Sequence, residues 1–345
     1  MSRNSKWLAI RKELSVRRRA LLTVLSFLLP IGIWCAVSYV PWIYHPMILV
    51  SEKGDVSFFR EGQRINKTIF EEQNAIMRES GQTVAAGTPA NPVYLPAPHE
   101  VGKAFYTSFK TKPRRRGEPW LHESLFHSVK IIFWGFTLSS LIGVPLGILC
   151  GSYALFSRLS EPFIEFFRYL PAPAFGALAV AVLGIHNEPK IAIIFIGTFF
   201  QQVLVISNTT RKVDISLIEA AQTLGAGKIH LLTRVVVPGI LPDLYRDMRI
   251  LLGWAWTYLI VAEVVGTSTG ITWFINQQAK YRIYENVYAA IAMIGIIGLA
   301  TDLVLAWFGK QLFPWTQRRQ SKFSIFLSRL FGPLNQTAFT PADNG

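Results

Sequence analysis

Six apolar runs divide this chain, each long enough to cross a membrane as a helix. They lie at Ala20–Val40, Val129–Gly151, Phe163–Ile185, Ile191–Asn208, Leu244–Val265 and Val287–Phe308. Roughly 17–25 apolar residues suffice for a hydrocarbon core ~30 Å thick. The runs predict an all-α polytopic membrane protein with six transmembrane helices. Composition agrees. The 345 residues are 51% hydrophobic and 16% charged, with mean hydropathy +0.32, whereas soluble domains carry about 25% charged residues.

The net charge of +14 raises the question of a nucleic-acid partner. Its distribution argues against one, because the basic residues gather at the chain ends and in the polar gaps between runs. That is the pattern of membrane topology. Cys35 and Cys150 both fall inside runs, where a thiol packs as a small hydrophobe.

The first run follows Arg17-Arg18-Arg19 and ends in Tyr39-Val40-Pro41-Trp42, with no small-x-small cleavage pattern. It reads as an uncleaved membrane helix. The third run carries Arg168, Pro171 and Pro173 in its first half. Proline there removes a backbone donor, so the span is expected to begin near Ala172.

The chain thus divides into a basic leader at 1–19, a first helix at 20–40 and an external loop at 41–123. A core at 124–315 holds five helices, with a polar segment at 209–243, and a tail covers 316–345. Arg11, Lys12 and Arg17–Arg19 put the amino terminus in the cytoplasm. Six crossings return the tail there, with Arg318, Arg319 and Lys322, and place the 209–243 segment inside with Arg211, Lys212, Lys228 and Arg234. Lys112 and Arg114–Arg116 fall outside, but on a loop longer than the ~60 residues over which the positive-inside rule operates.

The polar segment carries the most specific pattern. Ile218-Glu219-Ala220-Ala221-Gln222-Thr223-Leu224-Gly225 is followed by Val237-Pro238-Gly239-Ile240-Leu241-Pro242. Two alanines give a short helix a face of little bulk, Glu219 near its start suits the helix dipole, and Gly225 can end it. This segment resembles the cytoplasmic coupling loop of bacterial ATP-binding-cassette importer permeases. Other motifs are similar to the nitrate, sulfonate, taurine and bicarbonate branch of that family. They are Leu95-Pro96-Ala97-Pro98, His127-Ser128, Gly143–Gly151, Arg168–Pro171, Lys190–Phe195, Ala255-Trp256, Ala262-Glu263 and Pro314-Trp315. The resemblance runs from about Leu95 to Trp315. An insert at about 51–91, Gln201-Gln202 and a tail of about 30 residues depart from it.

The resemblance implies a type I importer permease fold and an inner-membrane location. It implies a partner set of two ATPase subunits, an external solute-binding protein and a second permease copy, besides the lipid. Glu219, Ala220, Ala221 and Gly225 would contact the ATPase, flanked by Arg211, Lys212 and Asp214. Alternating access would be driven from outside this chain, with ATP and Mg bound by the partner and no cofactor here. Neither Gly227-Lys228 nor Gly309-Lys310 completes the Gly-x-x-x-x-Gly-Lys-Ser/Thr phosphate loop. The solute would be a small organic or inorganic anion.

Polar residues within spans usually face the bundle interior. Gln201, Gln202, Asn208, Thr257 and Glu263 are candidates for the solute path, and Asp302 lies in the last span. For the amides and Thr257, helix-to-helix hydrogen bonding is the competing assignment. His122, Glu123 and His127 do not fit a metal site, since the histidines are five apart. The alternatives to an ATP-driven importer are an ion-gradient transporter, which calls for mid-membrane acids and inverted repeats, and a non-transporting scaffold. Phe323, Phe326, Leu327, Leu330 and Phe331 predict an amphipathic helix in the tail.

Overall fold

The computed structural model describes residues 16–40, 42–112, 119–265 and 269–316. The tail helix expected from Phe323–Phe331 lies outside the described residues.

The chain is mainly helical. Four of its helices are long and apolar enough to cross a membrane: α1 (Val16–Tyr39), α4 (Leu121–Ser152), α7 (Glu188–Thr210) and α12 (Tyr284–Leu312). The third run is a broken span. The α5 helix (Ala154–Arg168) stops before Pro171, a 3-10 turn covers Ala172–Phe175, and α6 (Gly176–Leu183) is too short to cross alone. Counted with α5 it makes a fifth span. The α10 helix (Val237–Ala262) holds the fifth run but carries Asp243, Arg246, Asp247 and Arg249, so its apolar stretch is too short to count. Among the described residues, four spans are distinct by length and composition, or five when the α5–α6 pair, bent by 87°, is taken as one, against the six expected.

The segment between α1 and α4 holds structure that its polar sequence did not announce. Strand β1 (Met47–Glu52) pairs antiparallel with both β2 (Arg64–Asn66) and β3 (Ala86–Ala90), in the order β2-β1-β3. Ile48 stands opposite Ile65 on one side and Pro89 on the other. Period-two alternation buries Ile48 and Val50 while Leu49 faces out. The α2 helix (Lys67–Glu79) starts at Asn66, whose side chain accepts the Thr68 N–H at 3.0 Å. Its Phe70 stacks on Phe59 at 5.7 Å, and these rings join Val56, Ile65 and Ala85 in a small separate core. Asn74 crosses that core, donating to Ala85 O at 2.9 Å and accepting from Ala85 N at 2.8 Å.

The chain forms two compact units. The first comprises 1–134, 176–191 and 259–297; the second comprises 135–175, 192–258 and 298–345. The α4, α7, α10 and α12 helices supply residues to both.

In the first unit α3 (Pro98–Lys110) begins with proline at its first turn, and Glu100 Oε2 accepts the Ala97 N–H at 2.8 Å. The other Glu100 oxygen takes Arg64 at 2.6 Å, which ties the sheet to α3. Trp34 of α1 donates to Pro96 O at 3.1 Å and stacks on Tyr288 of α12.

In the second unit glycines set the approach of α4 to α7. A Cβ on Gly147 would stand 2.8 Å from Ile206 Cβ, and one on Gly151 would overlap Thr210. Small residues at such crossings let membrane helices pack by close van der Waals contact. Cys150, Ile164, Val203 and Leu204 fill the space beside them.

Candidate coupling segment and membrane polar clusters

The polar segment between α7 and α10 folds as α8 (Ile215–Thr223), α9 (Lys228–Leu231) and a π-helical turn at Leu232–Val236. Asp214 caps α8, its side chain accepting the Ser216 N–H at 3.0 Å. That bond holds the Asp214 carboxyl below the usual carboxylate range. At the other end Gly225 adopts φ +83, Ala226 N donates to Ala221 O at 3.0 Å and Gly225 N donates to Gln222 O at 2.9 Å. This is a Schellman ending, which needs a residue tolerant of the left-handed region.

No residue of α8 is buried, and Glu219 and Ala220 are exposed while Ala221 is half-buried. Ile215, Leu217, Leu224 and Ile229 are 68%, 55%, 88% and 75% exposed. Two of these lie in α8, Leu224 follows its end and Ile229 lies in α9, so the segment presents an uncovered apolar face. Of the flanking residues, Lys212 is exposed. Arg211 turns instead to Glu161 of α5, forming an ion pair, and also reaches Ser157 at 2.9 Å. Glu161 further accepts from Ser207 at 2.6 Å, so α5, α7 and the coupling segment share one polar joint.

The path candidates differ in burial and in partners. Gln202 is fully buried, accepting from Ser139 at 2.6 Å and donating to Ser140 at 3.1 Å. It therefore acts as a clamp between α4 and α7. Gln201 is half-buried, while Asn208 and Thr257 are exposed. These four residues belong to the second unit, whereas Glu263 belongs to the first.

Glu263 is 3% exposed, directly after the end of α10. It accepts from Ser128 Oγ and from the Thr272 N–H at 2.9 Å, and Ser128 in turn accepts the Ile271 N–H at 2.9 Å. The first two N–H groups of α11 (Ile271–Lys280) are thereby satisfied. Gly270 has φ +100 and lies against the Glu263 carboxylate, where any Cβ would collide with it. Lys190 is buried nearby and donates to Thr269 Oγ1 at 2.8 Å, and His127 contacts the same hydroxyl at 3.1 Å. No group of three or more metal-ligating side chains stands among the described residues.

Sequence reasoning passed over Glu161 and Arg249, and it noted Ser128 only as part of a motif, without its partner. Glu161 and Arg249 each find their partners in a different helix far along the chain. Arg249 was nonetheless visible as a cation within an apolar run.

Several helices long and apolar enough to cross a membrane, two of them packed closely through glycines, define a polytopic membrane protein. The chain belongs to the family of binding-protein-dependent transport system inner membrane components, which residues 143–318 match. It is the permease subunit of a binding-protein-dependent importer. It is 34% identical over 194 residues to a probable ABC transporter permease protein of Brucella abortus (strain 2308), covering 56% of this chain and 78% of that one. It is 30% identical over 233 residues to the taurine transport system permease protein TauC of Escherichia coli (strain K12), covering 68% and 84%. Among solved structures, the inward-facing MetNI methionine ABC transporter aligns with TM-score 0.50 and 19% identity, over 59% of this chain and all of that one. That likeness concerns the fold.

Proposed function

We propose that this chain is the membrane pathway of an ATP-driven importer of a small acidic solute. It works as a dimer with two separate ATPase chains, which bind ATP and Mg. A solute-binding protein delivers cargo to the face opposite the coupling segment, and both termini lie in the cytoplasm. Closure of the ATPases pushes on α8 and α9, and the movement passes through the Glu161–Arg211 joint into α5 and α7.

The observation that carries this reading is the exposed segment of α8 and α9, with α8 capped at both ends and Ile215, Leu217, Leu224 and Ile229 uncovered. A rigid short helix with an uncovered apolar face fits a groove in a soluble partner. The acidic solute follows from the relative named for taurine, a sulfonate. The test is to express the chain with a candidate ATPase and binding protein, then reconstitute the complex in liposomes. ATP-dependent uptake of taurine, another sulfonate, nitrate or bicarbonate is the expected result. Uptake driven by an ion gradient without ATP would replace this reading with a secondary transporter.

A further inference from the structure

The second unit holds an ion pair in the membrane that neither the coupling segment nor the Gln202 clamp uses. Arg249 stands midway along the 26-residue α10, and Asp302 faces it from α12. Arg249 Nε donates to Asp302 Oδ1 at 3.1 Å, and Nη2 donates to both carboxylate oxygens at 2.8 Å. A guanidinium has five N–H donors in a planar fork. The two on Nη1 find no acceptor among the described residues.

Arg249 lies near the start of the apolar run Leu244–Val265, and an arginine within a membrane helix costs up to about 3 kcal/mol on insertion scales. Asp302 offsets part of that cost and fixes the plane of the fork. A purely structural pair would be closed off by its neighbours, but this one opens into space. On the side toward the coupling segment is a cavity of ≈ 310 Å³ that Arg249 lines with Asp243, Arg246 and Lys310. On the other side is a cavity of ≈ 220 Å³ lined by Gly253, Trp256, Gly298, Thr301 and the pair itself. In the first, Arg246 pairs with Asp243 at 2.9 Å, and Arg249 and Lys310 are its other cations. The second offers an indole face and two glycines, and room equal to about seven waters.

We propose that Arg249, held by Asp302, is an anion-binding position on the solute path. Its free donors take the acidic oxygens of the solute, a sulfonate, carboxylate or similar oxyanion, while Trp256 covers the apolar part. Arg246 and Lys310 draw the anion onward. The fork geometry suits two oxygens at once, which a lysine could not match. This inference rests on the importer reading for the identity of the solute.

The test uses the full transporter, with Cys35 and Cys150 replaced and Gly253→Cys introduced. A Cβ at Gly253 meets nothing within 4 Å, so the thiol is tolerated. Two thiol reagents of similar size are compared, one ending in a sulfonate and one in a trimethylammonium group. The sulfonate reagent should react about tenfold faster, a preference equivalent to one well-placed charged hydrogen bond. Ethanesulfonate should slow it.

The preference should vanish in the Arg249→Met, Asp302→Leu double variant. The pair is partly exposed, Arg249 at 24% and Asp302 at 48%, and replacing both members leaves no unpaired charge, so the variant should still co-purify with the ATPase while taurine uptake falls at least tenfold. Wild-type uptake by that variant would overturn the proposal, as would equal labelling by the two reagents with the pair intact. The labelling decides even where the double variant does not assemble. Failure of the importer reading shows separately, as uptake that needs no ATP.

Discussion

The carboxylate of Glu263 accepts the Thr272 N–H at 2.9 Å, so the end of α10 holds the start of α11. The same carboxylate takes the Ser128 hydroxyl of α4, so one buried acid fastens three helices. Glu263→Ala would leave the Thr272 N–H without its acceptor, at a cost of roughly 1–3 kcal/mol. A lowered unfolding midpoint of the detergent-solubilised protein is the expected result. In cysteine scanning, Glu263→Cys should stay unlabelled by a polar thiol reagent, whereas Thr257→Cys, at an exposed position, should react. Fast labelling at 263 would restore that residue to the solute path.

The end of the coupling helix gives a second prediction. Nothing lies within 4 Å of a Cβ built on Gly225, so a substitution there acts through backbone strain alone. Its φ of +83 costs an ordinary side chain roughly 1–2 kcal/mol. Gly225→Val should weaken co-purification with the ATPase, while the permease still inserts. Gly225→Asn should be milder, because asparagine visits the left-handed region more readily. Equal loss in both variants would point to side-chain contact with the partner rather than to helix ending.

What the sequence reveals here depends on the range of each interaction. The ending of α8 was legible because Gly225 acts on residues within one turn of itself. The spans were legible because lipid imposes a length. Glu263 was read as a path residue, since nothing local shows that Ser128, 135 positions away, supplies its partner. Arg249 and Asp302 each stood out as a charge in an apolar run, but their pairing is a matter of helix packing. The sheet was hidden for a different reason. Strand β3 contains Gly87 and Pro89, which argue against a strand, and β2 is only 3 residues long. By contrast, Asn66 ahead of Phe70 was a local helix-start signal within a segment read as loop.

Acid should act on the cap of α8. The Ser216 N–H bond lowers the Asp214 pKa in the folded state. Its stabilising effect is therefore complete above the unfolded value of about 4, and is lost as pH falls through the folded value below that. At neutral pH the cap is in place. Asp214→Asn keeps an acceptor oxygen and removes the titration, whereas Asp214→Ala removes the cap at every pH. Co-purification with the ATPase, measured from pH 7 down to about 3.5, should decline at the acid end for the wild type. The alanine variant should be weaker throughout. A wild-type decline well above pH 5 would assign the effect to another group.

Glycine substitutions separate packing positions from open ones. Gly147→Ala places its methyl group 2.8 Å from Ile206 Cβ, closer than side-chain carbons approach. The α4 and α7 helices must then move apart, and overpacking of this kind costs typically 1–3 kcal/mol. Gly239→Ala meets nothing within 4 Å and should be tolerated or slightly stabilising, since alanine is the better helix former. Thermal unfolding of the two variants in one detergent would compare them, and equal midpoints would contradict the close crossing.

The three-stranded sheet and α2 hang on Asn74, which exchanges two hydrogen bonds with the backbone of Ala85. Asn74 is 6% exposed, so water cannot replace its amide when it is removed. Asn74→Leu keeps the bulk but leaves both Ala85 groups unpaired, each costing roughly 1–3 kcal/mol. The core formed around Phe59 and Phe70 is small, and a core of that size has little stability in reserve. The segment from Met47 to Ala90 should therefore become sensitive to protease in the otherwise intact protein. The α8 surface belongs to the other compact unit, so association with the ATPase should persist. Protease resistance equal to wild type would show that the strand pairing of β1 with β3 holds this region without the asparagine.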